Sequence, residues 1–151
     1  MANNCCDTSN PCGCNYNSNL KGENTSQKSL IISWQRLVSD GSTCPRCGTT
    51  ENELDKAVLQ LKEKLNPKGI EVVLEKKELT KEEFERNPLM SNQILFNNQL
   101  LEDLLDAKTG HSKCCDVCGD EECRTTEVKE KSYETIPAEL IIEAGIKAIS
   151  Q

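Results

Sequence analysis

The chain has 151 residues, ten of them cysteines, and a formal net charge of −7 at pH 7. This length suits one domain with a hydrophobic core, and the acidic balance argues against nucleic acid or an anionic membrane surface as partners. No apolar run approaches the ~20 residues that span a bilayer, and the N-terminus lacks the pattern of a signal peptide. We therefore expect a cytoplasmic protein, a compartment where cysteines serve metal binding or redox chemistry more often than structural disulfides.

Residues 1–28 are rich in Asn, Ser and Gly and nearly free of apolar side chains, which predicts a flexible N-terminal tail. The tail contains Cys5, Cys6, Cys12 and Cys14. These thiols suit a trap for a soft ion, or they have no specific role, and the sequence leaves both interpretations open. Residues 29–151 are predicted to form the folded domain.

The domain begins with a strand-like run and a pair of cysteines. Residues 29–38 are rich in β-branched and aromatic side chains, which predicts a strand. The pair Cys44-Pro-Arg-Cys47 follows. Residues 50–53 match a capping box, apolar side chains then recur at helical spacing over residues 54–65, and residues 66–69 end that helix. The cysteine pair therefore lies between a strand and a helix.

The middle of the chain alternates short elements. Residues 70–75 are predicted to form a second strand, and Thr80 with Glu83 forms a capping box that opens a short helix ending before Pro88. Residues 93–97 are a third predicted strand. One or two helical turns are expected over residues 100–107.

The last part of the chain predicts a hairpin over residues 125–136 and a terminal helix that Pro137 opens. Before the hairpin lies a Cys-rich insertion, residues 109–124. This order of elements, with a Cys-x-x-Cys motif after the first strand, predicts an α/β protein of thioredoxin-like fold. We expect a four-stranded mixed sheet with helices on both faces.

The Cys44–Cys47 pair is the candidate redox centre. A thiol at a helix N-terminus is stabilised as the thiolate, and its pKa falls from about 8.5 into a range of roughly 3.5–7.5. We assign Cys44 as the nucleophile and Cys47 as the resolving thiol, and Arg46 adds a positive charge between them. The alternative interpretation is half of a zinc site, because Cys-x-x-Cys also occurs in zinc knuckles.

A second cysteine cluster lies in the insertion. It offers five candidate metal ligands within 13 residues: His111, Cys114, Cys115, Cys118 and Cys123. Tetrahedral coordination of zinc, or binding of a softer ion, fits these ligand types. The alternative is a second dithiol/disulfide set. The redox chemistry of the first pair requires no cofactor.

Six stretches of the sequence carry a family resemblance. They are Ser33-Trp-Gln-Arg-Leu-Val38, Cys44-Pro-Arg-Cys47, Asn87-Pro-Leu-Met-Ser-Asn-Gln-Ile94, Leu101-Glu-Asp103, Cys114-Cys-Asp-Val-Cys-Gly-Asp-Glu-Glu-Cys-Arg-Thr125 and Tyr133-Glu-Thr-Ile-Pro-Ala-Glu-Leu-Ile141. From about Leu30 to Ile149 the chain resembles the thioredoxin-like family catalogued as domain of unknown function 2703. The resemblance implies a thioredoxin-like fold and no established activity. Handling of mercury-like or arsenic-like species is a further hypothesis that it suggests.

The chain departs from thioredoxins at the position before the third strand. Thioredoxins place a cis-proline there, against the dithiol, whereas this chain has Ser91-Asn92. The departure makes metal or metalloid binding by Cys44 and Cys47 easier and general disulfide reduction less certain.

Two hypotheses about function follow. The first is a thiol–disulfide redox protein that uses Cys44 and Cys47 on a redox partner protein or a small thiophilic substrate. The second is a protein that binds or detoxifies a soft metal or metalloid on the same scaffold.

Overall fold

The structure is a computed structural model that describes residues 28–113 and 121–151. Its elements in chain order are β1 (Ser29–Leu37), α1 (Pro45–Leu65), β2 (Glu71–Leu79), α2 (Lys81–Arg86), β3 (Gln93–Phe96), β4 (Gln99–Leu100), α3 (Leu101–Leu104), β5 (Lys108–Lys113), β6 (Glu122–Val128), β7 (Lys131–Tyr133) and α4 (Ala138–Ile149). Short 3₁₀ helices at Asn66–Lys68 and Pro88–Met90 lie between them. The described residues form an α/β arrangement.

A four-stranded mixed sheet has the strand order β2-β1-β3-β4. β1 runs parallel to β2 and antiparallel to β3, and β3 pairs antiparallel with β4. Ile32 pairs with Leu74 on one side and with Phe96 on the other. Because side chains alternate along a strand, the even-numbered residues of β1 share one face with Ile94 and Phe96.

That face forms the core beneath α1 and α4. Leu30, Ile32 and Trp34 of β1 are fully buried, together with apolar residues of the two helices: Leu54, Ala57, Leu61, Ile141 and Ala144. At Gly145 the helices approach so closely that a Cβ atom would lie 2.9 Å from Leu61 Cδ1. A side chain at position 145 would therefore require Leu61 to shift.

The prediction of a four-stranded mixed sheet with helices is confirmed, but its details differ in two respects. Both long helices, α1 and α4, pack on the same face of the sheet, and Ile31 on the other face is 38 % exposed. The fourth strand is β4, not the predicted hairpin. The hairpin β6–β7 instead joins β5 in a separate three-stranded antiparallel sheet of order β5-β6-β7.

The second sheet includes residues of the predicted Cys-rich insertion, since most of β5 and the first residues of β6 lie within residues 109–124. Its central strand is buried on both faces. Arg124 Nε donates to Glu102 Oε1 at 3.0 Å, and both side chains are at most 5 % exposed. Arg124 also donates to Leu89 O at 2.8 Å and to Thr109 Oγ1 at 3.0 Å. This buried ion pair joins the second sheet to α3.

Helix starts were predicted with mixed success. The capping box of Thr80 and Glu83 is present at α2, as its spacing indicated. The capping box at residues 50–53 is wrong, because α1 begins at Pro45 with Cys44 as its N-cap residue. Thr50 lies buried inside the helix, and Glu53 Oε2 accepts from Ala138 N at 3.0 Å, at the start of α4. Among the described helices, none has the length and apolar character needed to cross a bilayer.

Candidate functional site

The Cys44–Cys47 pair lies at the N-terminus of α1, as predicted. Cys44 has extended backbone (φ −71°, ψ 157°) and its carbonyl accepts from Gly48 N at 2.9 Å. Pro45 occupies the first turn, where a missing N–H costs nothing. Cys47 follows within that turn, so both sulfurs are held at the positive end of a 21-residue helix.

Both thiols are buried, each with 1 % of its surface exposed. The pKa of Cys47 is raised above its ordinary range by a hydrogen bond to Cys44, by burial and by negative charge at Cys44. Cys47 therefore holds a proton in the reduced site. The assignment of Cys44 as the nucleophile stays a prediction.

Ser91 provides a hydroxyl group beside the dithiol. Its Oγ lies 3.7 Å from Cys47 Sγ and accepts from Leu37 N at 3.0 Å. Asn92, with φ 63°, accepts from Trp34 Nε1 at 3.2 Å. The described residues contain no cis peptide bond. Ser91 therefore contacts the dithiol from the segment before β3, where the resemblance to thioredoxins would place a cis-proline.

Arg46 points toward the second sheet. Its side chain is 9 % exposed, and Nη2 donates to Ser112 Oγ and Lys113 O at 3.0 Å each. The same nitrogen forms an ion pair with Glu134 at 3.1 Å. The positive charge that the sequence placed between the two sulfurs is therefore engaged by β5 and by the residue that follows β7.

Cys123 is buried in the core that also contains the dithiol, although sequence proximity grouped it with the insertion. It is fully buried and belongs to the same core cluster as Cys44 and Cys47. Negative charge at Cys123 also contributes to the raised pKa of Cys47. The described part of the site thus contains three sulfur atoms and one hydroxyl group.

The predicted metal ligands are separated where they can be placed. In the β5–β6 register, His111 pairs with Arg124 and Ser112 pairs with Cys123, so His111 and Cys123 lie on opposite faces of the pair. His111 is exposed and contacts Glu122. Cys114, Cys115 and Cys118 lie outside the described residues, as do the four cysteines of the tail.

Residues 28–113 and 121–151 hold no group of three or more His, Cys, Asp or Glu side chains arranged to bind a metal ion. Sequence reasoning did not identify the Glu102–Arg124 pair, although both residues lie in stretches that carry the family resemblance. A motif identifies such residues as a group, but only the fold shows that they form a buried ion pair.

Comparison with known proteins gives a family and no activity. No solved structure matches the chain. An uncharacterized protein of Archaeoglobus fulgidus is 52 % identical over 112 residues, which are 74 % of this chain and 82 % of the relative. Residues 30–145 match the model of the family described as "Domain of unknown function (DUF2703)". The match includes the dithiol, Ser91 and the whole second sheet, and the chain therefore belongs to the DUF2703 family.

Proposed function

We propose that the protein is a cytosolic thiol–disulfide redox protein of thioredoxin-like fold, with Cys44 and Cys47 as its dithiol. The order β2-β1-β3-β4, with parallel β1 and β2 joined through α1, supports this assignment of fold. The observation that carries the function is the placement of both buried cysteines at the N-terminus of α1, Cys44 as the N-cap residue and Cys47 in the first turn. The interaction with Cys44 also raises the pKa of Cys47.

The geometry supports a two-step exchange. The Cys44 thiolate attacks one sulfur of a substrate disulfide; a Cys44–substrate bond forms, and the other substrate sulfur leaves as a thiolate. Cys47 then gives up its proton and attacks Cys44 Sγ. The Cys44–Cys47 disulfide forms, and the second substrate thiol is released. Two electrons pass from the dithiol to the substrate.

The burial of both sulfurs limits the substrate. With 1 % of each cysteine exposed, a small disulfide or thiophile reaches the pair with less rearrangement than a folded protein disulfide does. We therefore expect faster turnover of a small disulfide than of insulin. A redox partner protein would require a movement that uncovers Cys44.

The test compares DTNB and insulin reduction by the full chain with the Cys44→Ser and Cys47→Ser variants. Serine suits the N-cap position of residue 44, so loss of activity would not reflect loss of the helix. We expect Cys44→Ser to abolish turnover and Cys47→Ser to accumulate a mixed disulfide on Cys44. A Cys114→Ser/Cys115→Ser/Cys118→Ser variant is the matched control and retains activity. Absence of turnover of either substrate by the unmodified chain contradicts the proposal.

Ser91 favours a second candidate function, binding of a soft metal or metalloid. A hydroxyl group stands 3.7 Å from Cys47 Sγ, in the segment where thioredoxins have the cis-proline that helps exclude metal from the dithiol, and thiolate ligands favour a thiophilic ion. Zinc or a soft ion at the Cys-rich insertion belongs to the same hypothesis. Tight binding of mercury or arsenite that is lost in Cys44→Ser, without disulfide turnover, would support it. Zinc at the insertion would appear as about one equivalent in elemental analysis of reduced protein.

A further inference from the structure

Cys123 is placed next to α1 by the register of the second sheet. Ser112 lies directly opposite Cys123 in the β5–β6 pair, and paired residues share a face, with Cβ atoms roughly 4.5–5.5 Å apart. Ser112 Oγ accepts from Arg46 Nη2 at 3.0 Å, and Arg46 immediately precedes Cys47. The face of β6 that carries Cys123 therefore faces the first turn of α1.

A second contact holds this face in place. Ser112 donates to Glu134 Oε1 at 3.1 Å, and Glu134 also pairs with Arg46. The Arg46 side chain is 9 % exposed and that of Glu134 is 62 % exposed, so the ion pair is shielded from water on the arginine side only. The second sheet is thereby fixed against the start of α1 on the side where Cys123 lies.

Cys123 and the dithiol share the buried core on this side of the molecule. Cys123 has no exposed surface and packs in one cluster with Cys44 and Cys47, and its charge acts on Cys47. A buried cysteine ordinarily behaves as a small apolar side chain. Beside a dithiol, however, a third thiol is also a nucleophile for the disulfide that the dithiol forms.

We propose that Cys123 is a third redox thiol of this site, which exchanges with the Cys44–Cys47 disulfide at Cys47. This inference rests on the proposed function of Cys44 and Cys47. The Cys123 thiolate attacks Cys47 Sγ; the Cys47–Cys123 bond forms, the Cys44–Cys47 bond breaks, and Cys44 leaves as a thiolate. The proton lost by Cys123 is taken up by Cys44. No electrons are gained or lost, so the step requires no further oxidant.

The exchange has a consequence for turnover. It stores the disulfide between α1 and β6 and returns Cys44 to its thiol state. Through Cys123, the second sheet also takes part in the redox reaction. A purely structural Cys123 would do neither.

The test uses the full chain with three cysteines, Cys44, Cys47 and Cys123. Serine replaces the other seven: Cys5, Cys6, Cys12, Cys14, Cys114, Cys115 and Cys118. The chain is equilibrated with oxidised and reduced dithiothreitol, quenched with iodoacetamide and digested without reduction for mass spectrometry. We expect both the Cys44–Cys47 and the Cys47–Cys123 linkages, and alkylated Cys44 in the oxidised fraction.

Two variants separate the outcomes. Cys44→Ser should form the Cys47–Cys123 disulfide, and Cys44→Ser/Cys123→Ala should lose it. Near-ultraviolet circular dichroism of the buried Trp34 confirms that each variant is folded. If Cys44–Cys47 forms but Cys47 and Cys123 stay reduced in folded Cys44→Ser, this inference is overturned and the proposed function stands. If Cys44–Cys47 never forms, both are overturned.

Discussion

Removing the negative charge of Glu102 should destabilise the protein severely. The Glu102 and Arg124 side chains are 3 % and 5 % exposed, so the ion pair lies in the interior. Glu102→Gln preserves the size of the side chain but leaves the guanidinium group without a counter-charge. Arg124 retains its bonds to Leu89 O and Thr109 Oγ1, which do not neutralise it. Loss of one partner of a buried pair costs about 3–5 kcal/mol.

A loss of this size is a large fraction of the protein's whole free energy of unfolding. A domain of this size has a free energy of unfolding of about 5–15 kcal/mol. Removing both charges should cost less than removing one, because no unpaired charge then remains in the interior. We therefore expect Glu102→Leu/Arg124→Met to be more stable than Glu102→Gln, although Thr126 Oγ1 also loses its acceptor on Glu102.

Urea unfolding under reducing conditions, followed by the fluorescence of Trp34, measures these differences. The matched control is Glu143→Gln, which removes an exposed ion pair with Lys147 and should cost no more than about 0.5 kcal/mol. A loss below about 1 kcal/mol for Glu102→Gln would refute the reasoning. The reasoning would also be refuted if the loss of stability in Glu102→Leu/Arg124→Met equalled the sum of the losses in Glu102→Leu and Arg124→Met. The two charges would then not interact.

Three further predictions concern single residues. The raised pKa of Cys47 means that the folded state binds this proton more tightly than the unfolded state. The stability that it contributes is therefore present below the ordinary value of 9.0 and lost at higher pH; Cys47→Ala should lack this decline in urea titrations of reduced protein. Gly145→Ala places a Cβ 2.9 Å from Leu61 Cδ1 and should lower stability by about 1–2 kcal/mol, whereas Gly48→Ala, with nothing nearer than 4.0 Å, should raise it by about 0.5–1 kcal/mol. Thr80→Ala removes the α2 cap and should cost about 1 kcal/mol in the same assay.

Elements that depend on local chemistry were predictable from the sequence. The capping box of Thr80 and Glu83 and the turn at Asn97-Asn98, where φ is 49° and 68°, follow the side-chain preferences of those positions. β1 follows from its β-branched and aromatic residues. These features require only neighbours within a few residues, so the pattern and the structure agree.

Elements that depend on distant contacts were not predictable. Residues 50–53 match a capping box, yet Pro45 starts the helix earlier, and Thr50 accepts from Ile136 N, 86 residues away. The strand β5 has few apolar side chains, because its exposed edge faces solvent and its pairing with β6 supplies the order. No local periodicity indicates a strand of this kind.

The candidate site shows the same division. The position of Cys44 and Cys47 at a helix N-terminus was predicted and is confirmed. The grouping of His111 with Cys123 relied on closeness in the sequence, and the alternation of side chains in β5 and β6 separates them. The same alternation places Cys123 on the face of Ser112, which contacts Arg46, and only the register reveals this.

Two arginines, Arg46 and Arg124, hold the second sheet in place, and they explain how residues of the Cys-rich insertion can form part of the site. Arg124 anchors one face of β6 to Glu102 in the interior, and Arg46 anchors the opposite face through Ser112 and Glu134. Rotation of the sheet would break the buried Arg124–Glu102 pair or the partly exposed contacts of Arg46. The position of the sheet keeps Cys123 on the face that is turned toward the first turn of α1. Under the proposed exchange, this fixed position favours reaction within the site over reaction with thiols in solution.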